Sequence, residues 1–239
     1  EMSRINLIVV AFLVLLATSF VLADPNGAST VTEESTSSSN ATAAESHDAI
    51  AGNITEISIV GETETQAWQG YFGNVTGSIT LENAAGDVMY NWSSASPQGE
   101  IFASNASSVT WSSIVCFNWT THNGPAVESF FGIASDDTDG INETFSTGNG
   151  HDAFSVAAAS FTLGECMSTQ IFDDTKASVD NYFEEVFLTD GTSPVFASLL
   201  ENDELGFDAV SHDFEMIVPE DGHAGDTGTT PYYFYVELE

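Results

Sequence analysis

The chain has 239 residues, of which 36 are Asp or Glu and two are Lys or Arg, for a formal net charge of −34. With almost no cations to neutralise phosphates, nucleic-acid binding is excluded. Repulsion among so many like charges opposes the compact state. It becomes tolerable where salt shortens the screening length to ~3 Å, so the composition reads as that of a protein of molar brine.

The start reads Met2-Ser3-Arg4, followed by an apolar run over residues 5–23 interrupted only by Asn6, Thr18 and Ser19. A basic n-region, an apolar h-region and a small-residue exit at Val21-Leu22-Ala23 predict a secretory signal, with Asp24 as the new N-terminus. The competing reading is an uncleaved membrane or filament helix, close to the ~20 residues a span needs. Either reading exports the rest of the chain. Residues 24–50 are rich in Ser, Thr, Ala and Glu, with Ser35-Thr36-Ser37-Ser38-Ser39 at their centre. Such a segment predicts a disordered linker, suited to an O-glycosylated stalk or a plain solvated tail.

Residues 51–239 carry enough apolar and aromatic side chains to close a core, as one β domain or as subdomains 51–150 and 151–239. Residues 54–60 alternate around Ile57 and Ile59 and predict a strand. Residues 77–82 and 88–92, separated by Asn83-Ala84-Ala85-Gly86-Asp87, predict a hairpin. In Val88-Met89-Tyr90-Asn91-Trp92, alternation sets Val88, Tyr90 and Trp92 on one face, expected to meet the core, with Asn91 on the other. Residues 108–119 fit a strand or a short helix, and 125–133 predict a helix opened by Pro125. Residues 154–163 predict one or two buried strands. Residues 182–188 and 195–200 predict a second hairpin around Asp190-Gly191, closed by Pro194. Residues 214–218 and 232–238 bracket a polar loop. Many short strands between Gly-, Pro- and Asp-rich turns predict an all-β fold, a β-sandwich of antiparallel strands.

Seven Asn-x-Ser/Thr triplets occur, at Asn40, Asn53, Asn74, Asn91, Asn105, Asn118 and Asn142. Roughly three would arise by chance at this composition, so the sites are enriched and predict surface N-glycosylation of an exported chain. Cys116 and Cys166 form an even pair that an exported chain can bridge. Two free buried thiols would look the same in sequence.

Catalytic signatures are weak. Residues 135–146 resemble part of an EF-hand calcium loop: Asp137, Asp139 and Gly140 fit its third, fifth and sixth positions. Ser135 stands where the first acid belongs, and Ser146 where a bidentate Glu belongs. A second acidic stretch, 221–227, fits less well. His47, His122, His151, His212 and His223 show no metal-binding spacing and read as solvated surface residues. No nucleophile elbow is present, and with so many acids no carboxylate pair stands out for glycoside hydrolysis. The sequence thus assigns no catalytic residue, metal or cofactor, and predicts that the chain is not an enzyme. Trp68, Tyr71, Phe72, Trp92, Trp111, Trp119 and the run Tyr232-Tyr233-Phe234-Tyr235 are aromatics that strands favour for core packing. They are also the residues a carbohydrate-binding face would use.

Three segments carry a resemblance: Ala67-Trp68-Gln69-Gly70-Tyr71-Phe72-Gly73-Asn74-Val75-Thr76-Gly77, the strand 88–92, and the ending Tyr232-Tyr233-Phe234-Tyr235-Val236-Glu237-Leu238. In these the chain resembles exported, β-rich cell-surface proteins of halophilic archaea. The resemblance covers most of residues 51–239 and brings no catalytic residues with it. It implies a secreted or surface-tethered glycoprotein with a structural or interaction role in the cell envelope. The expected partners are envelope components or copies of the chain itself, with N-linked glycans and with membrane contact through residues 1–23. A pilin- or archaellin-like filament subunit is the alternative, although no Lys/Arg-Gly processing site precedes the apolar run. An extracellular carbohydrate-binding module or hydrolase is the third.

Overall fold

A computed structural model describes residues 24–39, 42–93, 98–146, 150–179, 182–222 and 228–238. The expected signal or anchor at 1–23, the sequon at Asn40 and His223 lie outside the described residues. The first strands are β1 (Asn26–Gly27), β2 (Trp68–Gly73), β3 (Ser78–Glu82), β4 (Val88–Ser93), β5 (Gly99–Ser104) and β6 (Val115–Cys116). Next come β7 (Phe154–Val156), β8 (Ala159–Phe161), β9 (Ser168–Gln170), β10 (Glu184–Thr189) and β11 (Pro194–Leu199). The last are β12 (Glu204–Leu205), β13 (Ser211–His212), β14 (Phe214–Pro219) and β15 (Tyr233–Leu238). Among the described residues, helix is confined to α1 (Gly124–Phe130) and α2 (Ile141–Thr144), with a 3-10 turn at Trp111–Ser113.

The fold is all-β and antiparallel. Its centre is a sheet ordered β1-β15-β5-β11-β10-β6, with β9 alongside β6 on the outer edge of β10. β5, from the first half of the chain, lies between β11 and β15 from the second half. The β10–β11 hairpin forms around Asp190-Gly191 as the turn signal predicts, with Thr189 opposite Pro194. Gly191 takes φ +87° there, and the Asp190 carboxylate accepts the amides of Thr192 and Ser193. β14 and β15 do not pair with each other: β14 pairs with β2, and β15 with β1 and β5.

Both faces of the central sheet are covered, so every residue of β10 is buried. Strands buried on both sides lose the simple alternation of a half-solvated sheet. On one face Phe102, Val186, Leu188, Val195 and Tyr235 pack beneath Trp111, Ile114 and the β7–β8 hairpin. On the other, Ile101, Phe187 and Phe196 meet Met216 and Val218 of the β2–β14 ribbon and the apolar residues of the α1–α2 segment. The rings of Phe117, Phe187 and Phe196 form a continuous stack, with centroids 4.1 Å and 5.0 Å apart. The ribbon over the sheet is the sandwich-like part of the architecture.

Two expectations change. The linker expected from Asp24 onward begins inside the fold: Pro25 is buried, and Asn26 and Gly27 pair with Val236 and Tyr235. Residues 30–39 and 42–50 are exposed and carry no strand or helix. Residues 54–60 form no strand, and Ile54, Ile57, Ile59 and Val60 are exposed. Their alternation is that of a strand, but a strand needs a partner edge, and none is supplied among the described residues.

Candidate interaction surface

β3 and β4 form a two-stranded sheet of their own, apart from the central one. The turn between them is closed by the Asn83 side chain, whose Oδ1 accepts the amides of Ala85 and Asp87. Register places Ile79 opposite Trp92 and Leu81 opposite Tyr90. These four side chains therefore share one face, and the Tyr90 and Trp92 rings touch at 4.8 Å. Thr80 and Asn91 pair on the other face. A bulge follows Leu81, so Glu82 meets Val88.

The expectation that Tyr90 and Trp92 face the core is overturned. Tyr90 is 58% exposed and Trp92 53%, and Ile79, Leu81 and Val88 are about as open. Alternation correctly separates the apolar face from Asn91. It does not say that the apolar face is covered, because that depends on whether a distant element packs there. The result is an amphipathic hairpin with an uncharged, apolar face open to solvent on a chain dominated by carboxylates. Surfaces of this kind mark interaction sites.

With Lys176 as the single lysine or arginine among the described residues, the fold satisfies many carboxylates with backbone amides. Glu128 accepts the amides of Ile141 and Asn142, Asp213 those of Val75 and Asp203, and Glu184 that of Asp152. Burial pushes Glu128 up, while the amides of Asn142 and Ile141 pull it partly back. Glu185 is fully buried in β10, with Oε2 accepting the Ile217 amide and Oε1 without a hydrogen-bond partner among the described residues. Burial pushes its carboxyl well above the ordinary range, with the Ile217 amide pulling it partly back.

The histidine expectation is also corrected. His151 and His212 are buried, not solvated. His151 accepts the Cys166 amide at Nε2 (2.9 Å) and meets the Asp152 carbonyl at Nδ1 (2.7 Å), an arrangement that fits the Nδ1-protonated, neutral ring. His212 lies 2.9 Å from Asp208 and packs against Phe72, which in turn meets Phe207. Glu215 stands beside this group, raised to about 6 by burial, with the Phe207 amide and His212 pulling it down and Asp208 pushing it up. Glu201 is raised to about 7, first by burial and then by Glu204, Glu184 and Asp152. Their local partners are visible in the sequence, but their burial is not, because it depends on distant contacts such as Phe72 against His212 and Glu184 and Asp152 near Glu201.

Of the sequon asparagines described, Asn53, Asn74, Asn91, Asn118 and Asn142 are exposed and Asn105 is half-buried. Cys116 and Cys166 form a disulfide that joins β6 to the segment entering β9. In the calcium-like stretch, Asp137 accepts the Ala134 amide and Asp139 accepts the Thr65 hydroxyl, while the Asp139 carbonyl takes the Trp68 indole N–H. Among the described residues, no three His, Cys, Asp or Glu side chains converge as a metal site would require. Of the aromatics, Trp111 and Tyr235 are in the core and Phe72 and Tyr233 are open. An open groove of about 380 Å³ beside β1 and β15 is lined by Val31, Ser107 and the Tyr232–Tyr235 run, with neither a carboxylate nor a tryptophan. Among the described residues, no helix is long and apolar enough to cross a membrane. No protein family, no curated protein and no solved structure matches the chain.

Proposed function

We propose that the chain is a secreted or surface-tethered glycoprotein of a halophilic archaeon, acting as a structural or interaction module of the cell envelope. The observation that carries this reading is the open apolar face of β3–β4, set on a chain with a formal net charge of −34. An uncharged face that no element among the described residues covers is what an interaction module presents. The acid excess suits an extracellular brine, and the disulfide suits an oxidising compartment. The exposed sequons, Asn91 on the polar face of the hairpin among them, leave room for glycans without masking Tyr90 and Trp92.

A filament subunit is the second reading, and one observation favours it. Because Asn26–Gly27 is already a strand on β15, the apolar residues 5–23 lead directly into the folded body. The test is mass spectrometry of the native N-terminus and of its Asn-x-Ser/Thr peptides, taken separately from medium, envelope and sheared filaments. A start at Asp24 with glycosylated asparagines, in medium or envelope, supports the first reading. An intact apolar N-terminus in filaments supports the second. Unmodified protein confined to the cytoplasm overturns both.

A further inference from the structure

We propose that the open face of the β3–β4 hairpin is a self-pairing surface, and that its occupant is the same face of a second copy of this chain. This deepens the reading of the hairpin as an interaction site and rests on it. The two strands differ in character: β3 contributes the aliphatic Ile79 and Leu81, and β4 the aromatic Tyr90 and Trp92. A two-fold axis lying between the faces and parallel to the strands sets the aromatic strand of each copy over the aliphatic strand of the other. The face is therefore complementary to itself, as an isologous interface must be. Two sheets stacked in this way lie ~10 Å apart, the spacing at which such side chains interdigitate.

Area points the same way. Four large apolar side chains, each about half exposed, offer roughly 500 Å² per copy. A pair would then bury ~1,000 Å², the lower bound for a specific interface. The Ile79–Trp92 and Leu81–Tyr90 pairs are themselves uncharged, and the next pair toward the turn is Glu82–Val88. The carboxylates of Glu82 and Asp87 sit at the turn end of the hairpin. In a face-to-face pair they stay in solvent, whereas insertion of the hairpin tip into a bilayer would drive them first through the headgroups. Pairing is favoured over membrane insertion on that ground. Salt governs it twice over, screening the repulsion between two strongly acidic copies and strengthening apolar contact.

Sedimentation of the full chain tests this in about 2 M and about 0.2 M KCl. Three forms are compared: the wild type, the double variant Tyr90→Thr/Trp92→Thr, and the opposite-face variant Thr80→Gln. Threonine preserves strand preference at these exposed positions, and circular dichroism checks that each variant is folded. The wild type and Thr80→Gln are expected at twice the monomer mass in high salt at ~50 µM, with the double variant at least ~100-fold weaker in dimerisation. A wild type that stays monomeric in high salt overturns the proposal, and so does a double variant that dimerises like the wild type. Retention on envelope fragments and on neutral-lipid vesicles, measured in parallel, separates the two readings. A monomer whose retention falls in the double variant keeps the hairpin as an interaction site for another partner. A monomer whose retention is unchanged removes both readings.

Discussion

The amide of Ala157 lies 3.2 Å and 3.1 Å from the two carboxylate oxygens of Glu237, across 80 residues of chain. Ala157 occupies the two-residue turn of the β7–β8 hairpin with φ +51°, a left-handed position that favours glycine. Glu237 reaches it from β15, so a carboxylate of the central sheet holds the turn of the hairpin that covers it. The pairing shows how this chain manages a surplus of acids, since backbone N–H groups take the role that Arg and Lys play elsewhere. Glu237→Ala leaves a buried amide unsatisfied and is expected to cost about 1–3 kcal/mol. Ala157→Gly relieves the strained φ and is expected to stabilise by about 0.5–1 kcal/mol. Denaturant melts of both variants in high salt check the pair, and hydrogen exchange at residue 157 should accelerate only in Glu237→Ala. A Glu237→Ala protein as stable as the wild type would remove this anchoring role.

Stability should rise on mild acidification. Glu201 is raised from 4.5 to about 7 and Glu215 from 4.5 to about 6 in the fold, both chiefly by burial. The folded state thus binds protons that the unfolded state releases at lower pH. Their stabilising contribution is complete below 4.5 and is lost as pH rises through about 6 and about 7. Asp190 acts in the opposite sense. Burial pushes it up, but the amides of Thr110, Ser193 and Thr192 outweigh that and hold it below its ordinary 3.8, so its contribution disappears on strong acidification. The optimum lies between these windows. Melting temperature is expected to be higher at pH 5.5 than at pH 8, and Glu201→Gln should narrow the difference by about 1 kcal/mol once solvent screening is allowed for. A flat profile from pH 5.5 to 8 would contradict the environment assigned to Glu201.

What the sequence reveals and what it hides divide along the range of the interactions. The β10–β11 turn is legible because Asp190, Gly191 and Pro194 act within the turn itself. The β3–β4 hairpin is legible for the same reason, through Asn83 and Gly86. The insertion of β5 between β11 and β15 is not legible, because no local pattern records which strand fills that gap. Glu184 and Glu185 are both buried, and the amides they accept, those of Asp152 and Ile217, lie 32 residues away, beyond any local pattern. Tyr90 and Trp92 fail in the reverse direction: their side of the strand was evident, but the absence of a cover was not. Residues 54–60 carry the alternation of a strand without the partner edge that would make them one.

The Cys116–Cys166 bridge spans 50 residues and joins two segments that lie along the outer edge of β10. Cys166 is fully buried among Trp111, Ile114 and Val186. In the chain-entropy account, closing a loop of that length contributes ~4 kcal/mol by restricting the unfolded chain. The double substitution Cys116→Ala/Cys166→Ala is expected to lower the denaturant midpoint by a corresponding amount while the sheet signal of the folded protein stays unchanged. Reduction of the wild type in the same buffer should reproduce the shift. An unchanged midpoint in both would show that β6 and β9 hold the edge of β10 without the covalent tie.

Salt dependence follows from where the acids are. The described residues include a single lysine, Lys176, and no arginine. Amides satisfy the carboxylates at the turns and strand ends, but those of Glu33, Glu34, Glu45, Glu56, Glu62 and Glu64 stand on exposed chain. Only solvent cations screen these exposed charges, over ~3 Å in molar salt and ~30 Å at about 10 mM. The protein is therefore expected to lose its fold on dialysis to millimolar salt and to recover it as KCl is restored. Far-UV circular dichroism and thermal melts along a KCl series check this. Two added conditions identify the cause. An osmolyte that strengthens apolar burial without screening charge should give little recovery, and a divalent chloride should restore the fold at a lower concentration than KCl. Identical spectra and melting temperatures across the series would mean that amide pairing and core packing alone hold the structure, and that the acid surface serves solubility and not survival in brine.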